Sequence, residues 1–164
     1  MTRVLLEMSL LEAAHLSDLV TQFGELIGET VDDVALDDPA IVRLVPDAYR
    51  DDPAAADEFR RLTQADLLDR RRDDAAVVLS TLQRDGRTLR PEEVAPEDAT
   101  APVVVELHDA SVAAWLRTLT ALRLVMAARL GVTDDEQGES DDPRFGIYNW
   151  LGFRLEGLLQ ALED

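Results

Sequence analysis

DASVAAWLRTLTALRLVMAARLG, residues 109 to 131, is the stretch on which the fold turns. Trp115, Leu116, Leu119, Leu122, Val125, Met126 and Leu130 recur at steps of three and four, the spacing that stacks side chains along one face of a helix. Leu124, Ala127 and Ala128 carry the apolar surface onto further faces, so this helix reads as one enclosed by others. Asp109 stands where an N-cap is expected, and Gly131 where a left-handed C-terminal residue stops the helix. The fold class that follows is mainly α, a compact bundle of about five helices around this segment.

Working outward, Val103 to Leu107 is a β-branched run that could pair with Arg3 to Met8 as a small two-stranded β ribbon. Ser9 opens S-L-L-E, in which the Ser9 hydroxyl and the Glu12 carboxylate can cap each other's backbone donors. A helix running from there to about Glu29 presents Leu16, Leu19, Val20, Phe23, Leu26 and Ile27 on one face. Asp37 to Asp52, DDPAIVRLVPDAYRDD, predicts a short helix between Pro39 and Pro46 with Ile41, Leu44 and Val45 turned to the core. Pro53 restarts helix to about Gln83, with Thr63 as a place for a break, and Asp85-Gly86 turns the chain. After Pro143 a last helix carries the stripe Tyr148, Leu151, Leu155, Leu158, Leu159 and Leu162, and the last two helices are expected to supply most of the core. Residues 1–164 read as a single domain, with acidic flexible connections at about 30–38, 87–102 and 132–143.

Composition narrows the function. Acidic residues number 34 against 16 basic, a formal net charge of -18, which opposes binding that depends on neutralising phosphates. Direct nucleic-acid binding and attachment to an anionic membrane are therefore not expected. All basic residues are Arg, in a chain rich in Ala, Asp, Val and Leu, the composition of a GC-rich genome. There is no cysteine, which excludes a disulfide framework, a thiolate zinc site, an iron-sulfur cluster and thiol redox chemistry in this chain. Glu7 and Glu12 interrupt what would be a signal peptide's apolar stretch, and no later run nears the roughly 18 apolar residues that span a bilayer. The expected location is cytoplasmic.

Motifs for catalysis are sparse. Glu12-Ala-Ala-His15 has the Glu-x-x-His spacing that brings carboxylate and imidazole to one metal in ferritin-like bundles, but such sites need a second copy and further glutamates. The other histidine, His108, shares a strand face with Glu106. No G-x-S-x-G turn and no glycine-rich phosphate loop occurs. The expectation is a non-enzyme with no catalytic residue and no cofactor. A metal-dependent or carboxylate-assisted enzyme using Glu12 and His15 is the alternative.

Amphipathic aromatics and arginines are the usual anchors of protein interfaces. The partner-binding candidates are Tyr49, beside Arg43, Asp47 and Arg50 around Pro46; the cluster Arg70, Arg71 and Arg72; and Phe145, Tyr148 and Trp150 at the start of the last helix. The arginines also face Asp66, Asp69, Asp73 and Asp74 at near-helical spacing, as a solvated ion-pair surface would. The reading is a regulatory module that binds another protein. One alternative is an acidic binder that imitates nucleic acid through its loops. Apolar surface at Phe145, Trp150 and Phe153, beyond what one helix face buries, also admits a homodimer.

Three stretches, DPAIVRLVPDAYRDD from Asp38, LTALRLVMAARLGV from Leu119 and IYNWLGFRLEGLLQAL from Ile147, resemble an actinobacterial domain-of-unknown-function family that includes the oxidative-stress regulator AosR. Their order and spacing match over nearly the whole chain. The resemblance implies a cytoplasmic protein, often encoded near the ClpS protease adaptor. For the AosR branch it implies a redox-controlled partnership with a stress sigma factor that alters transcription. That sensing relies on a cysteine pair, which this chain lacks, so no functional residue carries over and the resemblance supplies a scaffold without its switch.

Overall fold

The computed structural model describes residues 2–32, 53–131 and 145–163. In chain order these form β1 (Arg3–Ser9), α1 (Leu10–Asp32), α2 (Pro53–Leu82), β2 (Pro102–His108), α3 (Asp109–Leu130) and α4 (Gly146–Glu163). The fold is mainly α with a small β ribbon. Four helices lie among the described residues. The fifth, expected between Asp37 and Asp52, lies outside them, as do Tyr49 and its neighbours. α2 passes through Thr63 without a break, since Ala, Leu, Arg and Gln around that position are all good helix formers.

The ribbon has the pairing expected. β1 and β2 are antiparallel, with Arg3 opposite His108 and Ser9 opposite Pro102. Val4, Met8, Val103, Val105 and Leu107 turn inward, and Leu5 and Val104 turn to solvent. Glu7 and Val104 face each other, and their carbonyls point to opposite outer edges. Arg154 Nη1 donates to the Glu7 carbonyl at 3.1 Å, and Arg84 Nη2 to the Val104 carbonyl at 3.4 Å. Cationic side chains thus occupy both exposed edges, a common protection against unwanted strand pairing.

The strands hand directly into helices. Glu12 N donates to Ser9 Oγ at 3.1 Å, which confirms Ser9 as the cap of α1. The preceding amides of Leu10 and Leu11 are satisfied by the carbonyls of Ala101 and Ala99, at 2.8 and 3.1 Å, from the connection that also holds 3-10 turns at Pro91–Glu93 and Pro96–Asp98. At the start of α3 the cap is His108, not Asp109. Ser111 Oγ accepts from His108 N at 2.9 Å, while the Asp109 carboxylate accepts from Thr2 N at 2.7 Å, because a strand ending at His108 puts Asp109 already inside the first turn. That bond from Thr2 holds the Asp109 carboxyl below the usual aspartate range.

Each helix packs chiefly on the next in sequence: α1 on α2, α2 on α3 and α3 on α4. α3 is the centre, burying Val112, Trp115, Leu119, Leu122 and Val125 among others. Its length and composition alone would allow it to cross a bilayer, which the sequence reading did not anticipate. Half of its apolar window is buried within the protein. The remaining core comes from α1, through Leu16, Val20, Phe23 and Ile27, and from α2, through Leu68, Val78 and Leu82. The last helix gives less than expected: only Tyr148, Leu151 and Leu158 are buried, and Leu159 and Leu162 are exposed. α4 lies at the edge of the bundle against α3 and β1, so its buried stripe is narrow.

Trp115 is the largest buried side chain, and its indole Nε1 donates to Thr81 Oγ1 at 2.9 Å. The Thr81 hydroxyl in turn donates to the Val78 carbonyl at 2.6 Å. Replacing Thr81 by Val keeps the shape and removes the acceptor, leaving a buried N–H unpaired. Thr81→Val is expected to lower unfolding free energy by about 1–3 kcal/mol, with an unchanged m-value in a urea titration.

A second expectation concerns the ribbon's outer face. Glu106 accepts from Arg3 Nε at 2.9 Å and lies 3.1 Å from His108 Nε2. Arg3 holds its carboxyl below the usual glutamate range, with His108 contributing less. The folded value lies below the unfolded one, so this contribution to stability is present above the ordinary glutamate range and fades as pH falls through the lowered value. In an NMR titration the Glu106 carboxyl of Arg3→Ala should move up toward its ordinary value, while that of Asp109 stays depressed.

Candidate functional site

The site grows from the first turn of α1. Ser9 fixes where the helix begins, and Glu12 then faces α4 across the bundle. The Glu12 carboxylate accepts from Trp150 Nε1 at 3.3 Å and pairs with Arg154 Nη2. Arg154 also reaches the Glu7 carbonyl, so one guanidinium ties β1, α1 and α4 together. Its Nε is buried and has no partner among the described residues. α1 and α4 are joined through these side chains, and a space opens beside the junction.

That space is a cleft of about 520 Å³, floored by Leu11 and Leu19 of α1 and walled by Ile147 and Trp150 of α4. His15 and Asp18 stand exposed at its rim, and Gln22 Nε2 donates to Asp18 Oδ2 at 2.9 Å. Farther along α1 a second hollow of about 380 Å³ is bounded by Phe23 and Leu26 and by Leu122 and Met126 of α3. Leu19 and Gln22 line both.

The candidate residues fall in different places. Glu12 and His15 line one cleft, but the Glu12 carboxylate is engaged by a cation and an indole, and no group of three His, Asp or Glu side chains able to hold a metal occurs among the described residues. Trp150 is half-buried, with its indole N–H on Glu12 and its ring at the cleft. Tyr148 is buried: the Arg123 guanidinium lies 4.2 Å from its ring centroid, and Arg123 Nε donates to the Tyr148 carbonyl at 3.4 Å. Phe145 is half-buried and packs against the small cluster of Ala127 and Tyr148. Phe153 stands out at 67% exposure.

The arginine cluster is divided. Arg72 lies over Gly28 of α1, where an added Cβ would meet its Cζ at 3.7 Å. Arg70 and Arg71 border a different hollow, beside the two-pronged pair that Arg117 makes with Asp74 at 2.8 Å for each bond. Asp74 raises the Arg117 value. Adjacent side chains on a helix point about 100° apart, and α2 turns Arg72 to a different surface from Arg70 and Arg71. The loops through which a nucleic-acid mimic would act, at 32–38 and 134–142, lie outside the described residues except for Asp32, the last residue of α1.

Sequence reasoning missed Leu11, Asp18 and Ile147 as site residues and assigned Leu19 wholly to the core. The signal that could have found them is a second stripe on α1, Leu11, His15, Leu19, Gln22 and Leu26, offset from the buried one and mixed in polarity.

Comparison with known proteins adds a family. A family model described as a domain of unknown function, DUF2017, matches residues 2–162. The chain is similar to the putative oxidative stress regulator AosR of Mycobacterium leprae, 30% identical over 145 residues, which are 77% of this chain and 59% of that protein. It is 28% identical over 143 residues to the oxidative stress regulator AosR of Mycobacterium bovis and of Mycobacterium tuberculosis, covering 76% of this chain and 58% of each relative. The chain thus spans less than two thirds of the length of these relatives. No solved structure matches it.

The clamp of Arg123 on α4 gives a test of the helix packing. A Cβ on Gly152 would stand 2.9 Å from Arg123 Cζ, whereas one on Gly157 of the same helix meets nothing within 4 Å. Gly157→Ala should therefore gain the ordinary helix-propensity increment of about 0.5–1 kcal/mol. Gly152→Ala must shift the guanidinium that lies over Tyr148 and should fall short of Gly157→Ala by about 0.5–1 kcal/mol, read by chemical denaturation.

Proposed function

Because this chain belongs to the DUF2017 family and its named relatives are regulators, we propose that it is a cytoplasmic regulatory module that binds another protein in a stress response. The observation that carries this reading is the open apolar cleft beside α4, where Ile147 is 47% exposed and Trp150 is held in place by Glu12. An apolar surface of this kind, rimmed by polar groups, is the usual mark of a docking site. The fixed indole supports it further, since an anchor already ordered loses less entropy on binding. Glu12 serves as a structural tie to Arg154, which favours a binder over a carboxylate or metal enzyme. The resemblance adds a stress sigma factor as the expected class of partner. Since the chain has no cysteine, any control of its binding comes from something other than its own thiols.

Affinity capture from the native host, under resting and oxidising conditions, tests the reading. The expected result is a stoichiometric protein whose recovery falls at least about tenfold with Ile147→Asn, a half-exposed position whose change leaves the core intact. Recovery of no stoichiometric protein under either condition would count against it.

A further inference from the structure

We infer that the two hollows along α1 are one groove that receives an amphipathic, basic α-helix of a partner protein. The inference rests on the proposed docking role and names the chemistry of the partner. Leu19 and Gln22 line both hollows, so the two adjoin along one side of α1. From Leu11 to Leu26 the groove follows α1 for about 22 Å, roughly four helical turns. A partner helix with apolar residues at i, i+4, i+7 and i+11 places its anchors over a comparable length. Ile147 and Trp150 wall one end, and Leu122 and Met126 the other.

A helix suits this molecule better than an added strand. The outward carbonyls of Glu7 and Val104, at the two ribbon edges where a strand would join, are already taken by Arg154 and Arg84. Charge decides the partner's sign. Of the carboxylates on α1, Glu12 and Asp18 line the groove, while Glu25 borders a different hollow beside Arg72, in a chain of net charge -18. Arg154 offsets Glu12, which leaves Asp18 as the rim carboxylate near the middle of the groove. Arg129 borders the far end and is itself engaged. The field of the whole chain repels a second copy of itself and draws a helix with Lys or Arg flanking its apolar face.

The test uses a tryptophan-free synthetic peptide of about 16 residues, with Leu at the four anchor positions and Lys on the flanks, beside its counterpart with every Lys replaced by Glu. Trp115 is buried and Trp150 lines the groove, so a change in tryptophan emission reports on the site. The basic peptide should bind at least about tenfold more tightly than the acidic one, with the ratio shrinking at high salt. Amide shifts should run along α1 from Leu11 to Leu26. Asp18→Arg should narrow the ratio, Ile147→Asn should weaken the basic peptide, and Phe153→Ser, on exposed surface outside the groove, should change neither. Circular dichroism checks that each variant is folded.

Equal binding of the two peptides, or shifts that miss α1, would overturn the inference. So would sedimentation showing a dimer that Ile147→Asn dissociates, since the occupant would then be a second copy. Capture of a native partner that Ile147→Asn weakens and Asp18→Arg leaves unchanged sinks the basic helix and leaves the docking role standing. Peptide binding in the groove with no captured native partner does the reverse.

Discussion

The constraint on which the structure depends is that α3 is apolar on nearly all sides. Such a helix cannot lie on a surface; it has to be wrapped, and burial of its Leu, Val and Trp side chains is the main driving force for the wrapping. The wrapping is sequential, each helix laid on the next, so the last contact, between α1 and α4, is left to side chains. Glu12 and Arg154 make it, together with the Trp150 indole. The cleft follows from that way of closing the bundle. A pair of helices in full van der Waals contact would have filled it, whereas a pair held at side-chain reach leaves room beside it.

How much of this could be read beforehand depended on whether a feature was local. α1, α2, α3 and α4 were each announced by apolar spacing and by their end signals, because helix periodicity and capping act within a turn or two. The ribbon was legible through Val103 to Leu107, a β-branched run that matched a second short β-compatible run of similar length at Arg3 to Met8. The cap of α3 was misplaced by one residue because strand and helix abut with no loop between them, and sequence gives no sign of where one ends. The overestimate of α4 had a different origin. An apolar stripe shows which side of a helix can be buried, but not whether a neighbour extends far enough to cover Leu159 and Leu162.

The site was legible only in fragments. Trp150 and the Glu12–His15 pair were singled out on residue type, and both lie at the cleft, yet their relation to one another was invisible because 138 residues separate Glu12 from Trp150. Glu-x-x-His spacing suggested metal chemistry, whereas Glu12 is turned to Arg154, a residue that carried no motif at all. The arginine run Arg70 to Arg72 looked like one patch because it is contiguous in sequence. On a helix contiguity scatters side chains, and α2 lays Arg72 over Gly28 while Arg70 and Arg71 sit by the Asp74–Arg117 pair.

The acidity and the groove bear on each other. A net charge of -18 has a cost, since like charges in a compact chain repel, and exposed pairs such as Arg3–Glu106 offset little of it. α1 has no arginine of its own, and Arg154 of α4 offsets Glu12 but not Asp18 at the rim. The same helix provides the floor of the only surface here where Leu, Ile and Trp side chains converge on an open hollow among the described residues and an ordered indole waits beside them. A rim carboxylate at Asp18 beside an apolar floor, in a chain of strong net negative charge, is poorly suited to self-association and well suited to a cationic amphipathic partner, whose approach the charge would accelerate and whose apolar face the floor would hold.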